Sequence, residues 1–416
     1  MTAPDASQLP RLLATVARPD LASHLSRWGG PPRRGPELLD ELGRSRLGGR
    51  GGAGFPTARK WAALAAGGRP VVVVNATEGE PASNKDKTLL VHAPHLVLDG
   101  ASLAARALGA SEVIVCVDRR ASAALRACGL AISERAGRGL DAVPFRLEAA
   151  PPGYVTGEES ALVNWINGNP ALPSFGRRPY ERGVDGRPTL VQNAETLAHV
   201  ALIGRFGSSW FGALGTDAHP GTALVTVTGD VRHPSVYEVA MGTPLVDVLA
   251  PAGADQPVQG VLVGGYAGTW LGPAAATSAR LDPAWLGSAG ASLGCGSLVV
   301  VGPHTCGLKA VAMIAAWMAG QSAGQCGPCA RGLPTVADGL GRLLSAGAPN
   351  KWNAQIDRWL WMIDGRGACK HPDGAVRMIR SGIQVFAREI ESHRHGGDCR
   401  RPPPSLALPR YSEVMV

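Results

Sequence analysis

The tetrapeptide Cys326-Gly-Pro-Cys329 sets two thiols three residues apart, a spacing open to three chemistries. It can form a redox dithiol, supply half of a zinc site, or contribute thiolates to an iron–sulfur cluster. A thioredoxin-like dithiol needs a strand-to-helix junction and usually a preceding Trp, whereas Gln325 precedes this pair and helical patterns flank it. A c-type haem would require His after the second cysteine, and Ala330 stands there. One step earlier at the same spacing, the residue is Ala323.

Four other stretches carry groups suited to a nucleotide. In GGRGGAGFPTARKW, residues 48–61, five glycines fall within seven residues. Such a loop lets backbone N–H groups approach a phosphate, and Arg50 and Lys60 add positive charge. NATEGEPASNKDK, residues 75–87, directly follows an apolar strand. Asn75, Glu78 and Glu80 then stand at that strand's carboxyl end, where open α/β sheets bind ligands and where acids and amides can bond sugar hydroxyls. GYVTGEESALVNWING, residues 153–168, pairs Glu158 with Glu159 at a helix start, and PTLVQNAETLAHV, residues 188–200, puts Gln192 and Asn193 at another. Carboxylates at a helix N-terminus also serve plain helix stabilisation.

The elements that must position these groups are legible in the periodicity. PVVVVN (70–75), SEVIVCVD (111–118) and VPFRLEAA (143–150) read as strands, and the stretches 95–109 and 121–137 between them have helical spacing. That alternation predicts a parallel sheet covered by helices. From residue 222 the pattern changes to two β-rich runs, a short helix (TPLVDVLAPAG) and a further strand pair (QGVLVGGYAGTWL), which predicts a small β-grasp module. After about residue 300 the chain reads as helical to 393, and a Pro-rich tail follows. The expected divisions are an N-terminal helical segment (1–44), an α/β domain (45–218), the β-grasp module (219–275), a connector (276–304), a helical domain (305–395) and the tail (396–416).

Composition excludes several classes. With 45% hydrophobic and 18% charged residues the chain can bury a large core. Its net charge of +8 comes mostly from scattered Arg and suits acidic ligands or an acidic protein partner. Aromatics are only 5% and no basic-aromatic run occurs, which argues against nucleic-acid binding. The N-terminal stretch has no export-signal pattern, and the most apolar helix, AVAMIAAWMAG, is too short for a membrane span, so a cytoplasmic place is expected. Eight cysteines in such a chain argue for thiols or metal ligands rather than disulfides. Cys116 and Cys128 lie in apolar elements and read as small buried hydrophobes, while Cys295, Cys306 and Cys399 carry no assignment.

Taken in order, GRGGAGFPTARKW, NATEGEP with Lys85-Asp86 after it, Y-x-x-GEES-AL and PTLVQNAETLA resemble the NADH-binding flavoprotein subunit of respiratory complex I and its relatives in NAD-linked hydrogenases and formate dehydrogenases. The resemblance runs from about residue 45 to 390. It implies an α/β, FMN-binding parallel-sheet domain, a β-grasp module of the SLBB kind and a C-terminal helical bundle. It places Gly49, Arg50, Gly51, Gly52, Lys60, Asn75, Tyr154, Gly157, Glu158, Gln192, Asn193 and Thr196 around FMN. Phe55 would stack on the nicotinamide nucleotide, with Glu80 and Glu159 bonding its polar parts as the catalytic candidates. Thr77, Asn84, Gln192 and Ala63 depart from the family's Asp, Phe, Asn and aromatic residue, and Arg177, Arg178, Pro179 and Tyr180 align with its K-P-P-F segment. Two arginines there could favour the extra phosphate of NADPH.

The family's cluster motif, S-C-G-x-C-x-x-C-R-x-G with a later lone cysteine, corresponds here to Cys326, Cys329 and Cys369, with Ala323 in place of the first cysteine. Three thiolates leave one iron of a 4Fe–4S cluster without a cysteine and permit a 3Fe–4S form. Ser322, His371 and Cys306 are candidates for the missing ligand, and a Cys3His zinc set with His371 is the competing reading. The resemblance thus implies an NAD(P)H oxidoreductase that passes single electrons through the cluster to a ferredoxin or another iron–sulfur protein, alone or within a larger redox complex. A paralogue that keeps the fold as a docking or assembly subunit is the alternative.

Overall fold

The structure, a computed structural model, describes residues 4–13, 18–32, 37–64, 68–176, 178–344, 351–396 and 399–408. The chain forms two compact units, one of residues 1–79, 84–225 and 238–242, the other of residues 80–83, 226–237 and 243–416.

In the first unit, helices α1 (Leu21–Trp28), α2 (Glu37–Ser45) and α3 (Thr57–Ala62) lead into β1 (Val71–Ala76). There follow α4 (Lys85–His92), α5 (Pro94–Leu108), β2 (Glu112–Asp118), α6 (Ser122–Gly137), β3 (Phe145–Ala150), α7 (Glu159–Ile166), β4 (Thr189–Asn193) and α8 (Ala194–Gly212). The sheet has the order β3-β2-β1-β4 and is parallel throughout. The unbroken valine run of β1 is what a strand covered on both faces requires, and Val71 to Val74 are all fully buried. Val71 and Val73 share a cluster with Ile114, Cys116 and, from α7, Leu162 and Val163. Val72 and Val74 point to the other face, where α5 and α8 pack against β1. Those two helices cross so closely at Gly100 that an added Cβ would fall 1.9 Å from the Leu197 carbonyl oxygen.

The chain runs from β1 to β2 and β3 on one side, then returns to the other side of β1 for β4. The direction of winding therefore switches between β1 and β4, and ligands of open α/β sheets bind outside the strand ends at such a point. Asn75 and Asn193 are register partners there.

The second unit takes in β5 (Thr222–Gly229) and β6 (Ser235–Ala240) as they leave the first, then α9 (Leu245–Ala252), β7 (Gly260–Val263), β8 (Thr269–Leu271), α10 (Pro273–Ser278), α11 (Pro283–Ser288) and β9 (Ser297–Val301). The sheet order is β6-β5-β9-β7-β8. The segment expected to be a connector, 276–304, therefore holds the middle strand: β9 pairs parallel with β5 and antiparallel with β7. Its sequence, SLVVV, is short enough to read as a lead-in to the next helix, and only the sheet closing around it makes it a strand. Helices α12 (Gly307–Gly320), α13 (Leu333–Leu343), α14 (Lys351–Ile363), α15 (His371–Val385) and α16 (Ala387–Gly396) complete the unit. Among the described residues no helix is long and apolar enough to cross a membrane.

Candidate functional site

The glycine-rich loop is held at its base by Gly49 N–H donating to Phe55 O (2.9 Å) and Thr57 N–H to Leu47 O (2.9 Å). Its tip is tied to the start of α8 by Arg50 N–H donating to Thr196 Oγ1 at 2.8 Å. Gly51 faces Asn193, and a Cβ there would lie 3.1 Å from the Asn193 Cβ. Gly52, at φ +127°, and Gly54, at φ +65°, use backbone conformations that favour glycine and have open space where a Cβ would be. The loop is thus a cradle of backbone with room in front of it. Arg50 is buried behind it, bonding Thr222 O at 2.9 Å, and its Nε has no hydrogen-bond partner.

The strand ends supply the amides. Asn75 donates to Gly157 O at 2.9 Å and accepts from the Thr77 hydroxyl at 2.9 Å, so Thr77 serves to orient Asn75. A Cβ on Gly157 would meet the Thr77 Oγ1 at 3.0 Å, which explains glycine at that position. Gln192 accepts from Trp61 Nε1 at 3.4 Å, and Asn193 caps α8 through Thr196 N–H (3.3 Å) while donating to Asp86 Oδ2 at 2.7 Å. Glu158 is the N-cap of α7, its Oε2 accepting from the N–H groups of Ser160 (3.0 Å) and Ala161 (2.9 Å). Tyr154 precedes the short 3₁₀ turn Val155–Gly157 that leads into this cap.

On the accessible side, Lys60 forms an ion pair with Glu159, the two side chains 21% and 46% exposed. Phe55 is 49% exposed, with the Arg59 guanidinium 5.7 Å from its ring centre. Arg178 bonds the Tyr180 hydroxyl at 2.8 Å and is largely exposed, while Arg177 lies outside the described residues.

Two expected ligand-binding carboxylates also serve as backbone acceptors. Glu78 accepts from Asp86 N–H and Lys87 N–H, both at 3.0 Å, and so caps α4, where the Asn84 side chain makes no capping bond. Glu80 groups with the second unit, where Oε2 accepts from Tyr266 N–H at 2.8 Å and Oε1 from Ala82 N–H at 3.1 Å. At 7% exposure Glu80 fixes the turn before β8. Both act as backbone acceptors because each lies next to N–H groups that burial would otherwise leave unsatisfied.

Sequence reasoning passed over the charged group beneath the amides. Lys85, only 2% exposed, donates to Glu195 Oε2 (2.7 Å) and Asp86 Oδ1 (3.1 Å). Burial works to raise the Glu195 carboxyl, but Lys85 above all, with His199 and Arg50, holds it down at about 2. Asp86 is pushed up to about 6, because burial outweighs the pull of Lys85. His199 is lowered to about 4 by burial. The signal was available in the Lys85-Asp86 pair that begins five residues after Glu80, but charged pairs are ordinarily exposed.

In the second unit Cys329 is buried, and Cys326 and Cys369 are half-buried. Burial pushes the Cys329 thiol up to about 12, with Cys326 and Cys369 adding to the rise and the Ser322 hydroxyl working the other way. The thiols do not gather as tightly as ligands of one ion would: among the described residues three ligand atoms within 4.8 Å of one another occur only at Cys306, His393 and Cys399. Ligands of one zinc stand closer than that, so the Cys3His zinc set is not assembled here. His371 is turned away, its Nε2 on Met318 O at 2.9 Å. Of the three candidates for the missing ligand, Ser322 is the one beside Cys329.

Comparison with known proteins bears on all three regions. Residues 42–202 match the Nuo51 FMN-binding domain, 309–393 the NADH-ubiquinone oxidoreductase-F iron–sulfur binding region, and 224–254 the SLBB domain. The second F-type subunit of NADH-quinone oxidoreductase in Rhizobium meliloti is 31% identical over 373 residues, spanning 86% of this chain and 88% of that protein. The chain belongs to the family of NADH-quinone oxidoreductase F-type subunits. The F-type subunit of Mycobacterium bovis is 32% identical over 395 residues, covering 88% and 86%. Among solved structures, NAD+-reducing NiFe hydrogenase in the air-oxidised state superposes with a TM-score of 0.81 at 28% identity, over 97% of this chain and 69% of the hydrogenase chain. Its H2-reduced state gives 0.78 at 30% identity, over 87% of this chain and 63% of the hydrogenase chain. As a member of this family, the chain combines an FMN-binding domain, an SLBB module and a helical iron–sulfur region.

Proposed function

We propose that this member of the family is a flavin-dependent NAD(P)H oxidoreductase that delivers single electrons through its iron–sulfur region to a ferredoxin-like partner in the cytoplasm. The observation that carries this reading is that the Nuo51 FMN-binding match, 42–202, coincides with the unit whose switch point gathers the glycine loop, Asn75, Glu158 and Asn193. When bound, FMN supplies the conversion between a two-electron hydride and single electrons. The N–H groups of Gly49 to Gly52 would hold its phosphate, with Lys60 and the buried Arg50 adding positive charge. Asn75, Tyr154, Gly157, Glu158, Gln192, Asn193 and Thr196 would surround the rest. Glu159 and Phe55, at the accessible edge, would take the nicotinamide nucleotide by hydrogen bond and by stacking. Glu78 and Glu80 hold the turns on either side of residue 79 and stay the proposed cofactor-binding and catalytic carboxylates.

In the second unit Cys326, Cys329 and Cys369 would bind three irons of a cluster, with Ser322 nearest the place of the missing thiolate. The experiment is anaerobic purification followed by an absorption spectrum and stopped-flow mixing with NADH and with NADPH. A yellow-brown protein whose flavin bleaches on mixing is expected. A colourless protein, or one inert to both nucleotides, refutes the oxidoreductase reading and favours a docking subunit. Much faster reduction by NADH than by NADPH would remove any role for Arg178 in NADPH recognition.

A further inference from the structure

Three ligand-bearing side chains outside every flavin and cluster motif converge at the start of α12. Cys306 is the N-cap of α12, His393 lies in α16 and Cys399 in the extended chain after it, and each offers a ligand atom within 4.8 Å of the others. Cys306 and His393 are fully buried. The Cys306 Sγ lies 3.5 Å from His393 Nε2 and 3.4 Å from Glu389 Oε2. An ion with metal–sulfur bonds of about 2.3 Å and metal–nitrogen bonds of about 2.0–2.1 Å holds S and N about 3.5 Å apart at the tetrahedral angle.

A buried cysteine is ordinarily a small hydrophobe, which accounts for Cys116 and Cys128 in their apolar surroundings. It does not account for two cysteines meeting a buried imidazole, with Nε2 turned to the Cys306 thiol. The surroundings are built to orient the group. Glu389 accepts from Leu308 N–H at 2.8 Å through Oε2 and from Arg401 at 3.1 Å through Oε1. Cys306 N–H donates to Pro402 O at 2.7 Å, and Lys309 Nζ to Arg401 O at 2.8 Å. The segment carrying Cys399 is thereby fixed against α12 and α16, as outer hydrogen bonds fix metal ligands.

We propose that Cys306, His393 and Cys399 bind a zinc ion, with Glu389 or a water completing four-coordination, and that the ion fastens the segment after α16 to the start of α12. Binding releases two protons as both thiols become thiolates, and their charges cancel that of the ion. Arg401 balances Glu389. Thiolate and imidazole donors together select zinc over the hard cations that prefer oxygen.

The test is metal analysis of the full chain purified with reductant. One zinc per chain is expected in the wild type and in the Cys326→Ser/Cys369→Ser double variant, and none in Cys399→Ser or His393→Gln. Cobalt added to chelator-treated wild type should give a tetrahedral thiolate spectrum that Cys399→Ser lacks. Zinc added back should raise the melting temperature of the wild type and leave that of Cys399→Ser unmoved, which separates metal loss from simple misfolding. Absence of both zinc and cobalt binding, zinc that follows Cys326 instead of Cys399, or a Cys306–Cys399 disulfide in peptide maps of protein purified without added oxidant would each overturn the proposal.

Discussion

Replacing Lys85 with Met tests whether the buried charges under the FMN-domain amides act as a unit. Lys85 Nζ sits 2.7 Å from Glu195 Oε2 and 3.1 Å from Asp86 Oδ1, and all three side chains are 5% exposed or less. Removing the cation leaves two carboxylates in an interior that water cannot reach. Breaking a buried pair from one side costs about 3–5 kcal/mol. For a unit of this size that corresponds to a fall of about 6–20 °C in melting temperature. The pH dependence gives a second, independent signature. In the wild type, Glu195 is held at about 2, below its ordinary 4.5, so its contribution is present above pH 4.5 and lost as pH falls through about 2. Without Lys85 the burial that opposes ionisation is no longer outweighed, and the folded value rises above the unfolded one. The carboxylate then costs stability at neutral pH, and protonation relieves that cost. The deficit of Lys85→Met relative to wild type should shrink as pH is lowered from 7 to 5. The assay is thermal unfolding followed by circular dichroism on flavin-stripped protein, so that changes in flavin affinity do not contribute. A fall of under about 2 °C, or a deficit that does not change with pH, would refute the reasoning. A Lys85→Met/Glu195→Gln/Asp86→Asn triple variant should recover part of the loss, since it removes the uncompensated charges.

Gly51→Val places a branched side chain where a Cβ alone is already 3.1 Å from Asn193. It should lower FMN affinity by at least about tenfold, a loss of about 1.4 kcal/mol, read by fluorescence titration; full flavin content would put the phosphate elsewhere. Glu159→Gln breaks the ion pair with Lys60 at the accessible edge. A nucleotide bond to a charged group worth about 1.5–3 kcal/mol predicts a rise of about 10- to 150-fold in KM for the nucleotide with flavin content unchanged. Ala323→Cys restores a thiolate beside Ser322 and should slow conversion to a 3Fe–4S form on air exposure, followed by electron paramagnetic resonance and iron content. An unchanged rate of iron loss would mean that Ala323 does not stand at the open iron.

Layers and motifs follow from the order of amino acids alone. A buried parallel strand has to be apolar on both faces, so PVVVVN could be read as β1, and alternation with helical spacing implied the sheet. Glycines and amides at strand ends were legible for the same reason: their place follows from where the apolar run stops. Other features depend on contacts between residues far apart in the chain, and those emerge only on folding. SLVVV at 297–301 became a central strand because β5 and β7 pair on either side of it, and no local pattern announces such partners. Glu78 and Glu80 looked alike in sequence, yet one caps α4 and the other holds the turn at Tyr266, because a carboxylate takes whichever unsatisfied N–H groups the fold brings nearest. The gathering of Lys85, Asp86 and Glu195 needed the 110-residue return of the chain from Lys85 to Glu195. The meeting of Cys306 and Cys399 with His393 was illegible for the same reason: at 87 residues from His393, Cys306 acquires a neighbour with lone pairs only when α12 packs on α16.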